Sequence, residues 1–314
     1  MNVLNFLLSA ISLGTTFLYG STGEILTEKV GHLNLGIPGV MCVGGASGAV
    51  ALQLMYKSGL PSFLILIIAL IATFIGGALM GLLYSFLTVS LHANQNVTGL
   101  ALTTFGAGLM RYMMSGLKPI QYLYAVPYFR FPFSGMTNSL KYCGIMMFLG
   151  IAIAIATSFF LTRTRMGLCL RAVGENPATA DAVGINVTAY KYGATCVGSG
   201  IAGIGGIFYM MTYSGSQEAY LGIEALGWLA IALVIFTLWK PHVTIFGSAL
   251  FGLLFVAGSF IPSLGITLDM SATPLLKMLP YVVTILVLIV TSIRSKSSNQ
   301  PPASLGLSYF REER

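Results

Sequence analysis

Charge is what this sequence has least of. Asp, Glu, Lys and Arg make up 8% of its 314 residues, where soluble domains carry roughly a quarter. The chain therefore cannot coat itself with water, and its surface must face lipid. Cysteine is sparse too: Cys42, Cys143, Cys169 and Cys196 form no C-x-x-C pair and share no spacing with histidine, so neither zinc nor a disulfide framework is indicated. The three histidines, His32, His92 and His242, are far apart and build no H-x-x-x-H or triad-like context, which leaves enzymatic chemistry unsupported. No G-x-x-x-x-G-K-[ST] occurs, so the chain has no phosphate-cradling loop of its own for ATP. Its net charge of +7 could suit nucleic acid, yet no basic stripe interleaved with aromatics is present. Arg163, Arg165, Arg171, Arg294 and Lys296 instead flank apolar runs, as loops on the cytoplasmic side do. The expectation is a chain with no metal, no cofactor, no nucleic-acid partner and no catalytic residues.

What is present is apolar length. Hydrophobic residues make up 56% of the chain and the mean hydropathy is +0.85. Apolar runs fall near residues 3–20, 38–56, 61–91, 97–116, 142–161, 192–213, 225–239, 243–261 and 274–293. Each is about the length of a bilayer crossing and must be helical, because lipid satisfies no open backbone group. The fold class is all-α: a polytopic helical membrane bundle of about nine spans, within a range of eight to ten. The third run is long enough to be tilted, broken at Gly76-Gly77 or divided in two. The first run lacks a basic n-region and a clear A-x-A site, and reads as a retained span.

Residues 1–293 form the permeating domain, with a loop at 162–191, and 294–314 a tail. That loop is basic and so is the tail, which puts both in the cytoplasm and, with an odd span count, the N-terminus outside. Residues 117–141 carry Lys118, Arg130 and Lys141 on the external side, against that rule, and their aromatic stretch from Tyr122 to Phe133 reads as a segment packed on the outer rim. Within the runs only Arg111 and Lys277 are charged, each within about a turn of an end, from which a long side chain reaches the interface. An ion-coupled carrier needs an ionisable group near the midplane. The energy for uphill movement is therefore expected from outside this chain, and a carrier or channel acting alone is the alternative.

The loop reads RTRMGLCLRAVGENPATADAVGINVTAYK. Asn176 is a favoured N-cap, Pro177 suits the first helical position, and Gly184 can close the helix in a left-handed conformation. About two turns from Pro177 to Val183 are too short to be stable in water alone, so neighbours must hold them. Ala178, Ala180 and Ala182 offer a low-relief surface for a partner's groove, flanked by Arg171, Glu175 and Asp181. Read on residues alone, a solvated loop whose arginines only fix topology is the equal alternative.

Within that loop, LRAVGENPATADAVGINV resembles the cytoplasmic coupling loop of permease subunits in binding-protein-dependent ATP-binding cassette importers for ribose-type sugars and nucleosides. GEILTEKVGHLNLGIPGVM, NQNVTGLAL at 94–102 and EALGWLAIALVIFTLWKPHVTIFGSALFG at 224–252 are similar to the same family in the same order. MLPYVVTILVLIVTS at 278–292 and the tail PPASLGLSYFREER resemble the second-permease branch of nucleoside importers, although Pro38 stands where that family leads one to expect Glu. The resemblance implies a bacterial plasma-membrane location and an uncharged small-molecule substrate: a purine nucleoside first, a simple pentose second, or a ribityl compound such as riboflavin. It also implies three protein partners: a homologous permease, a tandem-cassette ATPase that hydrolyses the ATP, and a periplasmic or lipoprotein substrate-binding protein. The ATPase contact would then fall on Arg171, Glu175, Asn176, Pro177, Ala180, Asp181 and Gly184.

Between the first two runs, Ser21 and Glu24 have capping-box spacing, and residues 21–36 read as an interfacial helix. Asn34, in the break LNLGIPG, could instead face a pathway, since irregular backbone at depth is tolerated where it lines a cavity. Asn94, Gln95 and Asn96 raise the same choice, as amides able to hold sugar hydroxyls or a base edge. Trp228 and Trp239 read as packing and belt residues, and GSGIAGIGG at 198–206 as a surface for close helix packing.

Overall fold

Sequence periodicity leads to helices, and the computed structural model contains helices and, among the described residues, no strand. It describes residues 3–55, 58–117, 144–213, 218–260, 276, 278–294 and 300–310. The aromatic segment of 117–141, the connection at Asp269, Lys277 and the tail residues 295–299 and 311–314 lie outside the described residues.

The helices are α1 (Val3–Glu28), α2 (Ile37–Met55), α3 (Ser62–Ser85, prolonged by a π-turn at Phe86–Ser90), α4 (Gln95–Met114), α5 (Ile145–Arg163), α6 (Arg165–Glu175), α7 (Pro177–Ala182), α8 (Val187–Thr212), α9 (Ala219–Phe236), α10 (Pro241–Phe260) and α11 (Leu279–Arg294). Five stretches among them are long and apolar enough to cross a membrane: 37–55, 63–90, 145–163, 187–212 and 219–236. The chain is thus a helical membrane bundle. The third run passes through Gly76-Gly77 unbroken and ends in the π-turn.

Helix α8 is the centre, flanked by α1, α2 and α3; α2 also packs on α4 and α9, and α1 on α10. The two central spans are 78% buried (α8) and 72% buried (α2), against 33% for α3 and 28% for α5. That contrast assigns the exposed apolar stripe on α3, which includes Phe63, Ile71, Ile75 and Leu79, to lipid. The main core joins Met41, Val43 and Ala46 of α2 to Ile204, Ile207 and Phe208 of α8.

Lipid is as apolar as leucine, so helices gain little from hiding apolar area and associate through close contact instead. The small residues of 198–206 provide it. A Cβ built on Gly206 would stand 1.9 Å from the Met41 carbonyl oxygen, so any side chain there must force α2 away from α8. Gly108, by contrast, has nothing within 4 Å of the same position.

Gly206→Val is expected to lower stability by about 1–3 kcal/mol or more through overpacking, and Gly108→Ala to leave it unchanged. Thermal unfolding in detergent, with the yield of monodisperse protein, measures both.

Candidate functional site

Local side chains fix the segment between α5 and α8. Asn176 Oδ1 accepts a hydrogen bond from Thr179 N at 3.0 Å and so caps α7, with Pro177 in its first turn. At the other end Gly184 N donates to Asp181 O and Ile185 N to Ala180 O, both at 3.0 Å, which closes the helix through Gly184 at φ +86°. A residue with a Cβ would strain that conformation. Two further caps escaped the sequence reading: Thr164 Oγ1 accepts from Gly167 N at the start of α6, and Asn186 Oδ1 from Ala189 N at the start of α8. Three consecutive helices therefore each begin at their own side-chain cap, and the segment is held rigid from within.

The faces of α7 differ from the alanine surface read in the sequence. Ala180 is buried in a cluster with Leu170, Val173, Val187 and Trp239, so it seats the helix on the bundle and does not present it. What projects outward is Thr179, Ala182, Gly184 and above all Val183, 72% exposed at the tip. Arg171 is half-buried and Glu175 exposed. Asp181 Oδ2 accepts from Tyr309 Oη at 2.9 Å, and Glu175 Oε2 from Ala303 N at 3.3 Å.

The larger correction concerns residues 21–36. They do not form a separate interfacial helix: α1 runs unbroken to Glu28, with Ser21 Oγ donating to Phe17 O inside it. Glu24 and Glu28, four apart, are 0% and 2% exposed. Glu24 Oε1 accepts from Asn34 N at 3.2 Å, and Glu28 Oε2 accepts from Trp239 Nε1. Trp239 is thus a buried donor, not a belt residue. The signal that could have found this was negative: no proline interrupts residues 3–37, and an i, i+4 pair of carboxylates lies on one helical face. Glu24 is four residues from the end of α1, about 6 Å along the axis.

After α1 comes an irregular, buried turn at residues 29–36. Leu33 N donates to Gln95 Oε1 at 2.8 Å, and Leu33 O accepts from Tyr84 Oη at 2.8 Å. Leu35 O accepts from Thr103 Oγ1 at 2.9 Å, and Gly36 N donates to Asn34 Oδ1 at 2.9 Å. His32 Nδ1 lies 2.8 Å from Thr195 Oγ1, buried at the turn and not at an interface. Lys29 is half-buried among the charges of Glu175, Arg171, Glu28 and Lys240; burial lowers its ammonium and the Glu175 carboxylate opposes that.

The amides named from sequence separate here. Asn34 is fully buried and its Nδ2 has no partner. Gln95 is buried as a joint, its Nε2 donating to Leu307 O at 3.2 Å. Asn94 caps α4 by accepting from Val97 N at 3.1 Å, and Asn96 is exposed. The turn at 29–36, the start of α4, the α6–α7 segment and residues 300–310 thus meet at one end of the bundle. Beside α7, Asp181, Asn186, Lys191, His92 and Tyr309 line a cavity of about 670 Å³.

Residues 5–288 match the family described as branched-chain amino acid transport system, permease component. The chain is 32% identical to the nucleoside ABC transporter permease protein NupC of Lactococcus lactis, covering 92% of this chain and 93% of that one. It is 31% identical to TsgC13 of Haloferax volcanii, named for a glucose ABC transporter permease, over 97% of each chain. The guanosine ABC transporter permease protein NupQ of Bacillus subtilis is 28% identical over 85% of each.

His32 carries a measurable consequence. Burial, with repulsion from Lys191 behind it, holds its imidazole well below the ordinary 6.5. The folded protein keeps the ring neutral, while the unfolded chain takes up a proton below about pH 6.5, so stability is flat above that value and falls below it. The His32 contribution is read as a difference: relative to His32→Gln, which keeps a partner for Thr195 without a titrating ring, the parent protein's thermal midpoint in detergent should lose ground between about pH 7 and pH 5.

Proposed function

The chain belongs to the branched-chain amino acid transport system permease component family, and from that membership we propose that it is the membrane subunit of an ATP-driven importer for a nucleoside or simple sugar. The subunit is itself non-catalytic, and a partner hydrolyses the ATP. The substrate reading rests on relatives named for nucleoside, guanosine and glucose transport, each aligned along most of its length. A ribityl compound such as riboflavin is the related alternative. Along the chain, eight to ten spans cross the bacterial plasma membrane, with 1–293 as the permease domain and 294–314 as the tail.

The observation that carries the mechanism is the apolar tip of α7. A six-residue helix, itself capped and set between two capped neighbours, with a 72% exposed valine at its end is a rigid, low-profile knob. A rigid knob suits contact with a moving partner because little ordering entropy is lost when it docks. In this reading the end of the bundle that holds α7 faces the cytoplasm, where exposed Arg163 and Arg165 also lie, and the N-terminus lies outside. The motor is a tandem-cassette ATPase, the second half of the pathway a homologous permease, and the substrate is delivered by a periplasmic or lipoprotein binding protein. Thr179, Ala182, Val183 and Gly184 touch the ATPase, Arg171 and Glu175 flank the contact, and Asn176, Pro177, Ala180 and Asp181 hold the helix in place.

For the pathway, Asn34 is the strongest of the four amides, since a buried amide nitrogen without a partner can pair with a solute hydroxyl as the turn moves. Asn96 follows as an exposed amide, while Asn94 and Gln95 support it through the α4 cap and the joint to Leu33.

Val183→Asp places a charge on an exposed tip at no folding cost. In the reconstituted importer it is expected to cut ATP-dependent uptake about tenfold, the effect of losing about 1.4 kcal/mol of coupling, with the amount of folded permease unchanged. Undiminished uptake in that variant would show that α7 is not the contact.

A further inference from the structure

Residues 300–310 have no periodic pattern and no regular helix, yet they make specific contacts with four separate parts of the bundle. Ser304 donates to Gly174 O twice, from its N at 3.0 Å and from Oγ at 2.5 Å. Gly306 N donates to Gly31 O at 3.2 Å. Leu307 O accepts from Gln95 Nε2, whose Oε1 in turn holds Leu33 N. Tyr309 Oη donates to Asp181 on α7, and the Phe310 ring lies 4.6 Å from that of His92. Leu305 and Tyr309 complete the cluster that seats Ala180.

These contacts have a common geometry. Helix α7 packs on α6 and α8, and α8 on α2, so movement of its tip reaches α2 through α8. The segment 301–310 supplies a second route, with one end on Asp181 of α7 and its middle on Gly31 and on the Gln95–Leu33 joint of the buried turn. Hydrogen bonds that tie irregular backbone to irregular backbone break or move together when either side shifts.

We propose that residues 301–310 form a positioning strap that carries displacement of α7 to the turn at 29–36, with Tyr309 as its attachment to α7, Ser304 as its anchor on α6, and Gly306 and, through Gln95, Leu307 as its attachments to the turn. The proposal rests on the reading that α7 contacts the motor. The strap binds no substrate and no ATP; it sets how much of the α7 movement arrives at the end of α1 and the start of α2. Tyr309→Phe removes one hydroxyl, keeps the ring in its cluster, and so weakens the link without unseating the tail.

The test is the number of ATP molecules hydrolysed per solute imported by the complete importer in proteoliposomes. Tyr309→Phe is expected to raise that ratio by about fivefold or more, while the maximal ATPase rate, the yield of assembled complex and its thermal midpoint stay as in the parent protein. Ending the chain after residue 299 should raise it further; if that shortened chain fails to assemble, the Tyr309→Phe ratio decides. A ratio unchanged by Tyr309→Phe, in a preparation where Val183→Asp uncouples, overturns the strap and leaves the α7 contact standing. Uptake undiminished by Val183→Asp removes the α7 contact and the strap with it.

Discussion

A buried chain reversal without regular structure is the constraint around which this bundle is organised. Between α1 and α2 the backbone at 29–36 leaves helical geometry while enclosed by protein; the N–H groups of 29–32 still reach carbonyls at the end of α1, but from Leu33 on the chain has no helix ladder to pair with. An unpaired buried group costs about 1–3 kcal/mol, and several in a row would open the fold. Gly36 N turns to Asn34 Oδ1 within the segment, and other pairings come from elsewhere: Glu24 from α1, Tyr84 from α3, Gln95 and Thr103 from α4, Gly306 from the tail. The start of α4, the end of α3 and the tail are located by that demand. The same demand accounts for the Glu24 carboxylate inside α1.

Around this polar end the remaining architecture is set by contact distance. Glycines in α8 let α2 approach its backbone, and the bulky apolar side chains of α3 and α5 turn outward. A bundle with a tightly packed centre and one polar, irregular end concentrates its capacity to rearrange at that end. Close backbone packing resists small shifts, whereas a network of side-chain hydrogen bonds can exchange partners at small net cost. Transport by alternating access needs such a division between parts that move as rigid bodies and a joint that repacks.

Some of this was legible in the sequence, for local reasons. Asn176, Pro177 and Gly184 each act on backbone atoms within a few residues, and the helix they delimit stands between the residues expected of it. The apolar spans were legible because length and composition suffice. The path of residues 21–36 was not, because what makes Glu24 and Glu28 compatible with burial are Asn34 and Trp239, the latter 211 residues away along the chain. Nor was the orientation of α7, since burial of Ala180 depends on Leu170 and Trp239 arriving beside it. The course of the tail left no trace in periodicity: Ser304 N, Gly306 N and Leu307 O hold it through backbone atoms, which are the same in every residue, and its side-chain contacts through Tyr309 and Phe310 are with residues far away in the chain.

The central claim is that this chain moves its solute only when a separate ATPase drives it. Uptake of a labelled purine nucleoside into proteoliposomes tests it directly, in two arms. One holds the whole importer with ATP on the motor side; the other holds the permease pair without the motor, under a proton or sodium gradient. The account predicts uptake in the first arm and none in the second. Uphill accumulation driven by an ion gradient without the motor would contradict it.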